Sequence, residues 1–137
     1  MPELKKYQMF IDGQWVDSDT KKTFETLNPE NNKPWATVPE ASANDVDRAV
    51  KAAQKAFEGE WPKMIARDRA KYLRAIGNKL RENSELLGKI ETIDTGKLYR
   101  ETYQQAKYIA EYYDYYAGLA DKVEGTVLPI DKPNIQA

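Results

Sequence analysis

Residues able to do covalent chemistry are scarce in this chain. It has no cysteine and no histidine in 137 residues, so a thiol nucleophile, a disulfide framework and a thiolate metal site are excluded. A serine, threonine or tyrosine nucleophile would need a lysine or a carboxylate as its base, and no spacing singles out such a pair. Glycine-rich phosphate loops of the GxGxxG or GxxxxGK[ST] type are absent. We therefore predict no catalytic residue and no cofactor-binding residue in this chain.

One acidic residue stands in an unusual place. Residues 91–97 (ETIDTGK) read as the end of a helix, because Gly96 can adopt the left-handed conformation and Lys97 suits the helix dipole. Asp94 is disfavoured there by roughly a few tenths of a kcal/mol, since the C-terminal end of a helix is electronegative. It needs a basic side chain, backbone N–H groups or a cation as partner. The alternative is a plain structural role, in which Asp94 caps the following loop.

Tyrosine is the most unusual feature of the composition, because seven of the nine tyrosines lie between residues 99 and 116. On a helix, four of them share one broad face: Tyr108, Tyr112, Tyr115 and Tyr116. Aromatic faces can stack on bases or sugars, but nucleic-acid binding also needs interleaved basic residues, and only Arg100 and Lys107 are available. We expect a long helix packed between two layers, with phenolic groups reaching hydrogen-bond partners at its edges.

Composition argues against several classes of partner. The net charge is −1, from 21 basic and 22 acidic residues, so no strong field attracts nucleic acid or an anionic membrane. No apolar run approaches the ~20 residues of a membrane span. Residues 1–6 resemble no signal peptide. We expect a cytoplasmic protein that binds neither nucleic acid nor membrane, with a thin core because much of the 41% apolar content is alanine and tyrosine.

The first forty residues have the period of strands. Residues 9–16 predict a hairpin, because Asp12-Gly13 tolerates the positive φ angles of a type I′ turn. Residues 22–27 and 35–38 predict two further strands, each followed by a proline-containing boundary. We therefore expect residues 1–40 to form a small β-meander.

From Ser42 the period changes to that of helices, and four are predicted between residues 42 and 121. Ser42 and Asp45 form a capping-box pattern at the start of the first helix, which Gly59 can end. The second spans residues 66–82, and the third begins at Asn83 or Ser84, with Gly96 as its stop. The fourth runs from about residue 98 to 121. The chain is thus predicted to be mainly α with a short N-terminal β-meander or hairpin, and at least half helical.

Apolar stripes mark the helix faces expected to pack. On the first helix the stripe is Val46, Ala49, Val50, Ala53 and Phe57. On the second it is Leu73, Ile76 and Leu80, with Ala66, Ala70 and Gly77 beside it. On the third, the residues expected to point inward are Leu86, Leu87, Ile90 and Ile93.

Five segments, in this order and at this spacing, resemble the N-terminal part of NAD(P)-dependent aldehyde dehydrogenases. They are residues 10–15 (FIDGQW), 28–29 (NP), 38–46 (VPEASANDV), 91–97 (ETIDTGK) and 115–122 (YYAGLADK). The resemblance covers about residues 9–130. It implies the N-terminal part of the α/β aldehyde dehydrogenase fold, with a hairpin and helices that cover the cofactor-binding domain. Residues 122–137 would begin an extended ribbon used in oligomerisation, and residues 1–137 would form a single incomplete domain.

The resemblance also implies one ion site and the activity of a parent enzyme. Thr26, the carbonyl of Leu27 and Asp94 match positions that hold a structural monovalent cation, Na⁺ or K⁺, in many family members. The parent would oxidise an aldehyde to a carboxylic acid with NAD or NADP. The family's catalytic cysteine, general-base glutamate and cofactor glycine loop match nothing in this sequence. The motif departs from the family at Leu98, where many relatives have proline.

Two functions follow as hypotheses. In the first, the chain is the N-terminal segment of an aldehyde dehydrogenase, with no activity and no tight NAD(P) binding of its own. It would associate with itself as a homo-oligomer or with the remainder of such an enzyme. The alternative is a helical protein–protein interaction module that uses the tyrosine-rich helix.

Overall fold

The computed structural model describes residues 4–125, in which a block of strands precedes four helices. The strands are β1 (Lys5–Lys6), β2 (Met9–Ile11), β3 (Gln14–Val16), β4 (Thr23–Asn28) and β5 (Lys33–Pro39). The helices are α1 (Ala43–Glu58), α2 (Ala66–Glu82), α3 (Ser84–Thr95) and α4 (Tyr99–Leu119), with a short 3₁₀ turn at Trp61–Lys63. Helix makes up 57% of the described residues, which confirms the mainly α fold.

The hairpin is confirmed, but the first forty residues are not one meander. Phe10 pairs with Trp15 across β2 and β3, and Asp12 and Gly13 have φ angles of 50° and 78°, as a type I′ turn requires. This hairpin is a separate two-stranded sheet. The other sheet has the order β1-β5-β4, in which β4 is antiparallel and β1 is parallel to β5. Strand β1 is two lysines long, so it carries no hydrophobic pattern by which it could have been predicted.

The helix boundaries follow the local signals. At α1 the predicted capping box is present, since Asp45 N donates to Ser42 Oγ at 3.1 Å and Ser42 N donates to Asp45 Oδ2 at 2.9 Å. Helix α2 has the predicted bounds. Asn83 occupies the N-cap position of α3 but makes no side-chain capping bond. Gly96 ends α3 in the left-handed conformation, with a φ of 75°.

The predicted inward face of α3 is wrong for three of its four residues. Ile90 is half-buried, whereas Leu86 is 54% exposed, and Leu87 and Ile93 are exposed as well. The buried positions of α3 are instead Ser84 and Gly88. The reason is the close approach of α4, because a Cβ atom at Gly88 would lie 2.9 Å from Tyr103 Cα. Only small residues fit such a contact.

Alanine supplies all of the buried apolar side chains among residues 4–125. They are Ala36, Ala70, Ala106, Ala110 and Ala117. Helix α4 packs on α2 and α3 through the side that carries Ala106, Ala110 and Ala117. The expectation that α4 lies between two layers is therefore wrong for the described residues, because its tyrosine face is exposed.

Two predictions concern the end of the chain and the membrane. The extended ribbon predicted for residues 122–137 falls largely on residues 126–137, which lie outside the described residues; residues 122–125 form no regular element. Within residues 4–125, no helix is long and apolar enough to cross a lipid bilayer.

Candidate functional site

The predicted ion-site residues Thr26 and Asp94 meet where the three-stranded sheet touches the helices. Thr26 Oγ1, on β4, donates a hydrogen bond to Asp94 Oδ1, in the last turn of α3, at 2.7 Å. The same junction is closed by a second contact, since a Cβ atom at Gly96 would lie 3.4 Å from Pro29 Cβ. The two residues are 68 positions apart in the sequence, so the tertiary structure alone brings them together.

Leu27, the third predicted member, lies at an irregularity in the sheet. The register between β4 and β5 shifts between Thr26 and Leu27, so that Leu27 is paired with Pro34. Proline has no backbone N–H, and Pro34 therefore cannot donate to the Leu27 carbonyl. Register shifts of this kind free or redirect backbone groups beside functional sites.

The charge of Asp94 has no cationic partner in the described part of the chain. Ion pairs within residues 4–125 do not include this carboxylate. Lys97, the nearest lysine in sequence, pairs instead with Glu91 at 2.7 Å. Within residues 4–125, the one side-chain donor to this negative charge at the electronegative end of α3 is therefore the neutral Thr26 hydroxyl.

The chemistry of these groups suits a hard cation of low charge. Carboxylate, carbonyl and hydroxyl oxygens are ligands for alkali and alkaline-earth ions rather than for soft metals. A divalent ion is usually held by several carboxylates, and no group of three or more acidic, histidine or cysteine residues occurs within residues 4–125. Thr26, the Leu27 carbonyl and Asp94 therefore fit Na⁺ or K⁺, and the site itself stays a prediction.

A recess of about 380 Å³ opens beside this pair. It is lined by Tyr7, Phe24, Thr26, Trp35, Val38, Ile90 and Asp94. Two of its polar atoms, Tyr7 Oη and Trp35 Nε1, are buried and have no hydrogen-bond partner within residues 4–125. Buried donors are nearly always satisfied in complete proteins. These two donors therefore need hydrogen-bond acceptors that residues 4–125 do not supply.

Asp45 is the centre of a buried polar cluster that the sequence revealed only as a helix cap. Its side chain, 1% exposed, accepts hydrogen bonds from Ser18 Oγ at 2.8 Å and from the backbone N–H of Asp19, and it pairs with Arg48. The backbone N–H of Ser42, together with the Arg48 and Ser18 side chains, holds the pKa of Asp45 well below its usual range. The cluster attaches the loop after the hairpin to the start of α1. Ser18 was missed because a contact across 27 residues leaves no local pattern.

Large apolar side chains form three exposed faces. On α1, the stripe residues Val46, Val50 and Phe57 are all exposed, Phe57 by 67%. On the hairpin, the exposed rings of Phe10 and Trp15 pack at a tilt of 56°, with centroids 5.0 Å apart. The third is the tyrosine face of α4, defined by Tyr108, Tyr112, Tyr115 and Tyr116, whose residues are 49–62% exposed.

The tyrosine face has a limited polar chemistry of its own. Tyr112 Oη donates to Tyr108 Oη at 3.3 Å, and the rings of each neighbouring pair meet edge to face. The hydrogen bond to Tyr108 raises the pKa of Tyr112, so its phenol is a donor and not a base at neutral pH. No catalytic pair is formed on this face.

Comparison with known proteins identifies the architecture. The family model described as the aldehyde dehydrogenase family matches residues 15–137. The (Z)-2-((N-methylformamido)methylene)-5-hydroxybutyrolactone dehydrogenase of Acinetobacter baylyi is 42% identical over 135 residues, which is 98% of this chain and 27% of that protein.

Solved structures agree with the sequence match. An NAD-dependent aldehyde dehydrogenase from Sinorhizobium meliloti superposes with a TM-score of 0.90 at 31% identity, over 98% of this chain and 27% of its own. A betaine aldehyde dehydrogenase from Staphylococcus aureus, in complex with NAD⁺, superposes with a TM-score of 0.86 at 41% identity, over 93% and 25%. The chain thus spans about a quarter of the length of these relatives. It belongs to the aldehyde dehydrogenase family.

Proposed function

We propose that this chain is the N-terminal module of an NAD(P)-dependent aldehyde dehydrogenase and that its own role is to dock onto the remainder of that fold. The observation that carries the proposal is the distribution of apolar residues. Within residues 4–125 the fully buried apolar residues are alanines, while many of the large apolar side chains are exposed and the others are only half-buried. A module that buries so little apolar surface by itself gains stability when a partner surface covers its exposed apolar residues.

Two buried polar atoms support the same proposal. Tyr7 Oη and Trp35 Nε1 have no hydrogen-bond partner within residues 4–125, which is consistent with a partner that supplies acceptors.

The chemistry of the parent would lie outside these residues. In such an enzyme a cysteine thiolate attacks the aldehyde carbonyl and the nicotinamide accepts a hydride. This chain has no cysteine and no glycine loop leading into a helix N-terminus to hold the pyrophosphate. We expect the purified 137-residue chain to produce no NADH or NADPH from a panel of aldehydes, measured at 340 nm. Measurable turnover, or micromolar NAD⁺ binding by calorimetry, would contradict the proposal.

Complementation tests the docking role directly. We would prepare the S. aureus betaine aldehyde dehydrogenase without the N-terminal quarter that matches this chain and add the chain in trans. The expected result is recovery of NADH production with betaine aldehyde, because the added module covers the exposed faces of the truncated enzyme. A truncated enzyme that stays inactive with the chain bound, or never binds it, would count against the proposal.

A matched pair of variants makes that test specific for the stripe of α1. Val50→Asn places an amide in the exposed apolar stripe. Gln54→Asn, one turn later on the same helix, replaces one exposed amide side chain by another. We expect Val50→Asn to lower the recovered activity at least tenfold and Gln54→Asn to leave it unchanged. Unchanged activity in Val50→Asn would place the docking surface elsewhere.

We also propose that Thr26, the Leu27 carbonyl and Asp94 hold a monovalent cation in this module. Support comes from the absence of an ion-pair partner for Asp94 within residues 4–125 and from the pairing of Leu27 with Pro34. Quadrupolar broadening of the ²³Na NMR signal by the wild-type chain, reversed by K⁺ and absent in Asp94→Asn, is the expected result. Equal broadening by both proteins would contradict the site.

A second candidate function is a protein–protein interaction module that uses the tyrosine face of α4. The observation that favours it is that all four tyrosines are about half exposed, and tyrosine is enriched in interfaces. In the absence of another partner, we expect the chain to self-associate as a homo-oligomer. Light scattering at high micromolar concentration should give at least a dimer, and Tyr112→Ser/Tyr115→Ser should shift it toward the monomer. A well-folded wild-type monomer would contradict this candidate.

A further inference from the structure

We propose that the cleft between β1, the loop of residues 17–22 and the adjoining ends of β4 and β5 binds a small phosphate ester. The phosphoryl group would be held by Lys6, Lys21 and Lys22, which line this cleft. The inference goes beyond the docking role proposed above, because these lysines belong neither to the stripe of α1 nor to the tyrosine face. The two proposals can therefore fail independently.

Two lysine pairs of the sequence meet at this cleft. They are residues 5–6 and 21–22, and either pair alone would be ordinary solvated surface. In the fold, Lys6 lies on β1, which runs beside β5. The Glu40 N–H, just after β5, donates to the Lys22 carbonyl at 2.9 Å, so the second pair is fixed at the same end of the sheet. The tertiary structure thus concentrates charge that the sequence spreads out.

The charge of the cleft differs from that of the chain. Its volume is about 490 Å³, and small-molecule sites span roughly 300–1,000 Å³. Its charged lining residues are the three lysines and Asp17, an excess of two positive charges in a chain whose net charge is −1. Asp17 Oδ1 already accepts a hydrogen bond from Gln8 Nε2 at 2.9 Å. A concave surface with such an excess favours an anion.

None of the three lysines is neutralised within residues 4–125, where the ion pairs involve other residues. By contrast, Lys51 and Lys71 on the helices each pair with an aspartate about one turn away. An ammonium group is a compact point charge with three donors, and it is a common ligand of phosphoryl oxygens. Three such groups around one cleft suit a dianion with three acceptor oxygens.

The loop that carries two of the lysines is held in a conformation that lysine rarely adopts. Lys21 has a φ of 56°, in the left-handed region where residues other than glycine are uncommon. Its N–H donates to the Ser18 carbonyl at 2.9 Å, and Ser18 Oγ donates to the buried Asp45 at 2.8 Å. Residues held in this way are concentrated at binding sites. Because the backbone under the lysines is already fixed, binding has a lower ordering cost.

The other lining residues indicate what the phosphoryl group is attached to. Thr23 and Thr37 can supply hydroxyl donors, and the half-buried Tyr7 and Pro39 offer apolar surface. A free phosphate ion would fill only a small part of the cleft. We therefore expect a phosphate monoester with a short carbon skeleton to bind more tightly than inorganic phosphate.

An NMR titration of the 137-residue chain tests the site. Glycerol 3-phosphate, inorganic phosphate, succinate and glycerol would each be added at constant ionic strength and about pH 7.5, where a phosphate monoester is mostly a dianion. The double variant Lys6→Gln/Lys22→Gln removes two of the three charges. Its matched control, Lys5→Gln/Lys33→Gln, removes the same charge from exposed lysines of β1 and β5 that do not line the cleft. The amide spectrum of each variant shows directly whether the fold is kept.

For the wild type we expect saturable amide shifts at residues 6, 21–23 and 37, with a Kd of roughly 1 mM for glycerol 3-phosphate. Inorganic phosphate should bind severalfold more weakly, and glycerol should cause no shift. The cleft variant should weaken binding at least about tenfold, and the control variant less than about twofold.

Three results would overturn the inference. Absence of saturable shifts would remove the site, and equal weakening in both double variants would reduce it to an effect of net charge. Succinate bound as tightly as the ester would mean that the cleft does not recognise a phosphoryl group. Inorganic phosphate bound as tightly as glycerol 3-phosphate would overturn the assignment to an ester.

Discussion

The block formed by α2, α3 and α4 and the unit formed by the hairpin and α1 are held together in different ways. In the helical block, backbones approach closely through small residues: Ala70, Gly77, Ser84, Gly88, Thr102, Ala106, Ala110 and Ala117. In the hairpin–α1 unit, the buried residues are polar, Ser18 and Asp45, and the apolar stripe of α1 faces solvent. In both regions many of the large apolar residues are exposed, among them Val50, Phe57, Ile76 and Leu86. Those residues remain available for a partner surface.

Close packing in the helical block is specific even though it buries little area. Thr102 Oγ1 donates to the Gly88 carbonyl at 2.9 Å and lies 2.9 Å from Thr92 Oγ1. A Cβ atom at Gly77 would lie 3.1 Å from the Ala110 carbonyl oxygen. Steric fit and hydrogen bonds thus set the helix positions, and hydrophobic area contributes less than in an ordinary core.

The largest effect should come from the polar cluster of the hairpin–α1 unit. Asp45→Asn replaces the charged acceptor of Ser18, Asp19 and Arg48 by an amide that cannot accept all of these bonds. We expect Tm to fall by about 10 °C and amide exchange in the hairpin to accelerate. Asp47→Asn, at an exposed position of the same helix where the carboxylate pairs with Lys51, is the control and should change Tm by less than about 2 °C. Similar losses in both would mean that the cluster is not what holds this unit.

The stability that the Asp45 carboxylate contributes to the hairpin–α1 unit should depend on pH. Because the folded pKa of Asp45 is depressed, its contribution to stability is fully present above the unfolded pKa, about 3.9. It is lost as the pH falls below that value toward the folded pKa. The Tm difference between wild type and Asp45→Asn should therefore be constant from pH 7 to 5 and should shrink below about pH 4. A difference that grows on acidification would contradict this assignment.

Glycine-to-alanine substitutions test the helical block. A Cβ atom at Gly88 would meet the Tyr103 backbone at 2.9 Å, whereas one at Gly118 would have nothing within 4 Å. We expect Gly88→Ala to lower stability by about 2 kcal/mol, roughly 6–10 °C in Tm. Gly118→Ala should raise it by about 0.5–1 kcal/mol, because alanine favours helix. Thermal unfolding followed at 222 nm measures both, and a neutral Gly88→Ala would show that α3 and α4 can separate freely.

Removing one hydroxyl from the same interface should have a smaller effect. Thr102→Val keeps the shape of the side chain but leaves the Gly88 carbonyl and the Thr92 hydroxyl without this partner. The expected loss is about 1–2 kcal/mol. Thr95→Val, which removes an exposed bond to the Glu91 carbonyl, is the matched control and should cost less than about 0.5 kcal/mol.

The smallest effect on the chain alone should come from its exposed stripe. Phe57 is mostly exposed, so Phe57→Asn should change the unfolding free energy by less than about 0.5 kcal/mol. The same variant should weaken complementation of the truncated enzyme, as Val50→Asn does. A large destabilisation of the isolated chain would mean that α1 is packed by its own module.

Part of the ion site could be foreseen, and part could not. Asp94 was marked by its place at a helix end, a local electrostatic feature. Thr26 and Leu27 came from the family resemblance, because their spacing along the chain gives no reason to pair them with Asp94. The pairing of Leu27 with Pro34, and the register shift beside it, are visible only once β4 and β5 are aligned.

The sequence by itself determined the features that depend on two to four neighbouring residues. The Asp12-Gly13 turn, the Ser42 cap, the bounds of α2 and the left-handed Gly96 were all predicted. Only the tertiary structure decided which face of α3 is buried, that β1 joins β5, and that Ser18 reaches Asp45. The physical reason is that turns and caps are stabilised locally, whereas a buried face depends on how closely another helix approaches. Leu86 and Leu87 have the spacing that predicts a buried helix face, but they are exposed. Gly88 is buried instead, because it allows the close contact with Tyr103. Steric fit, and not the apolar pattern, therefore decided how α3 packs.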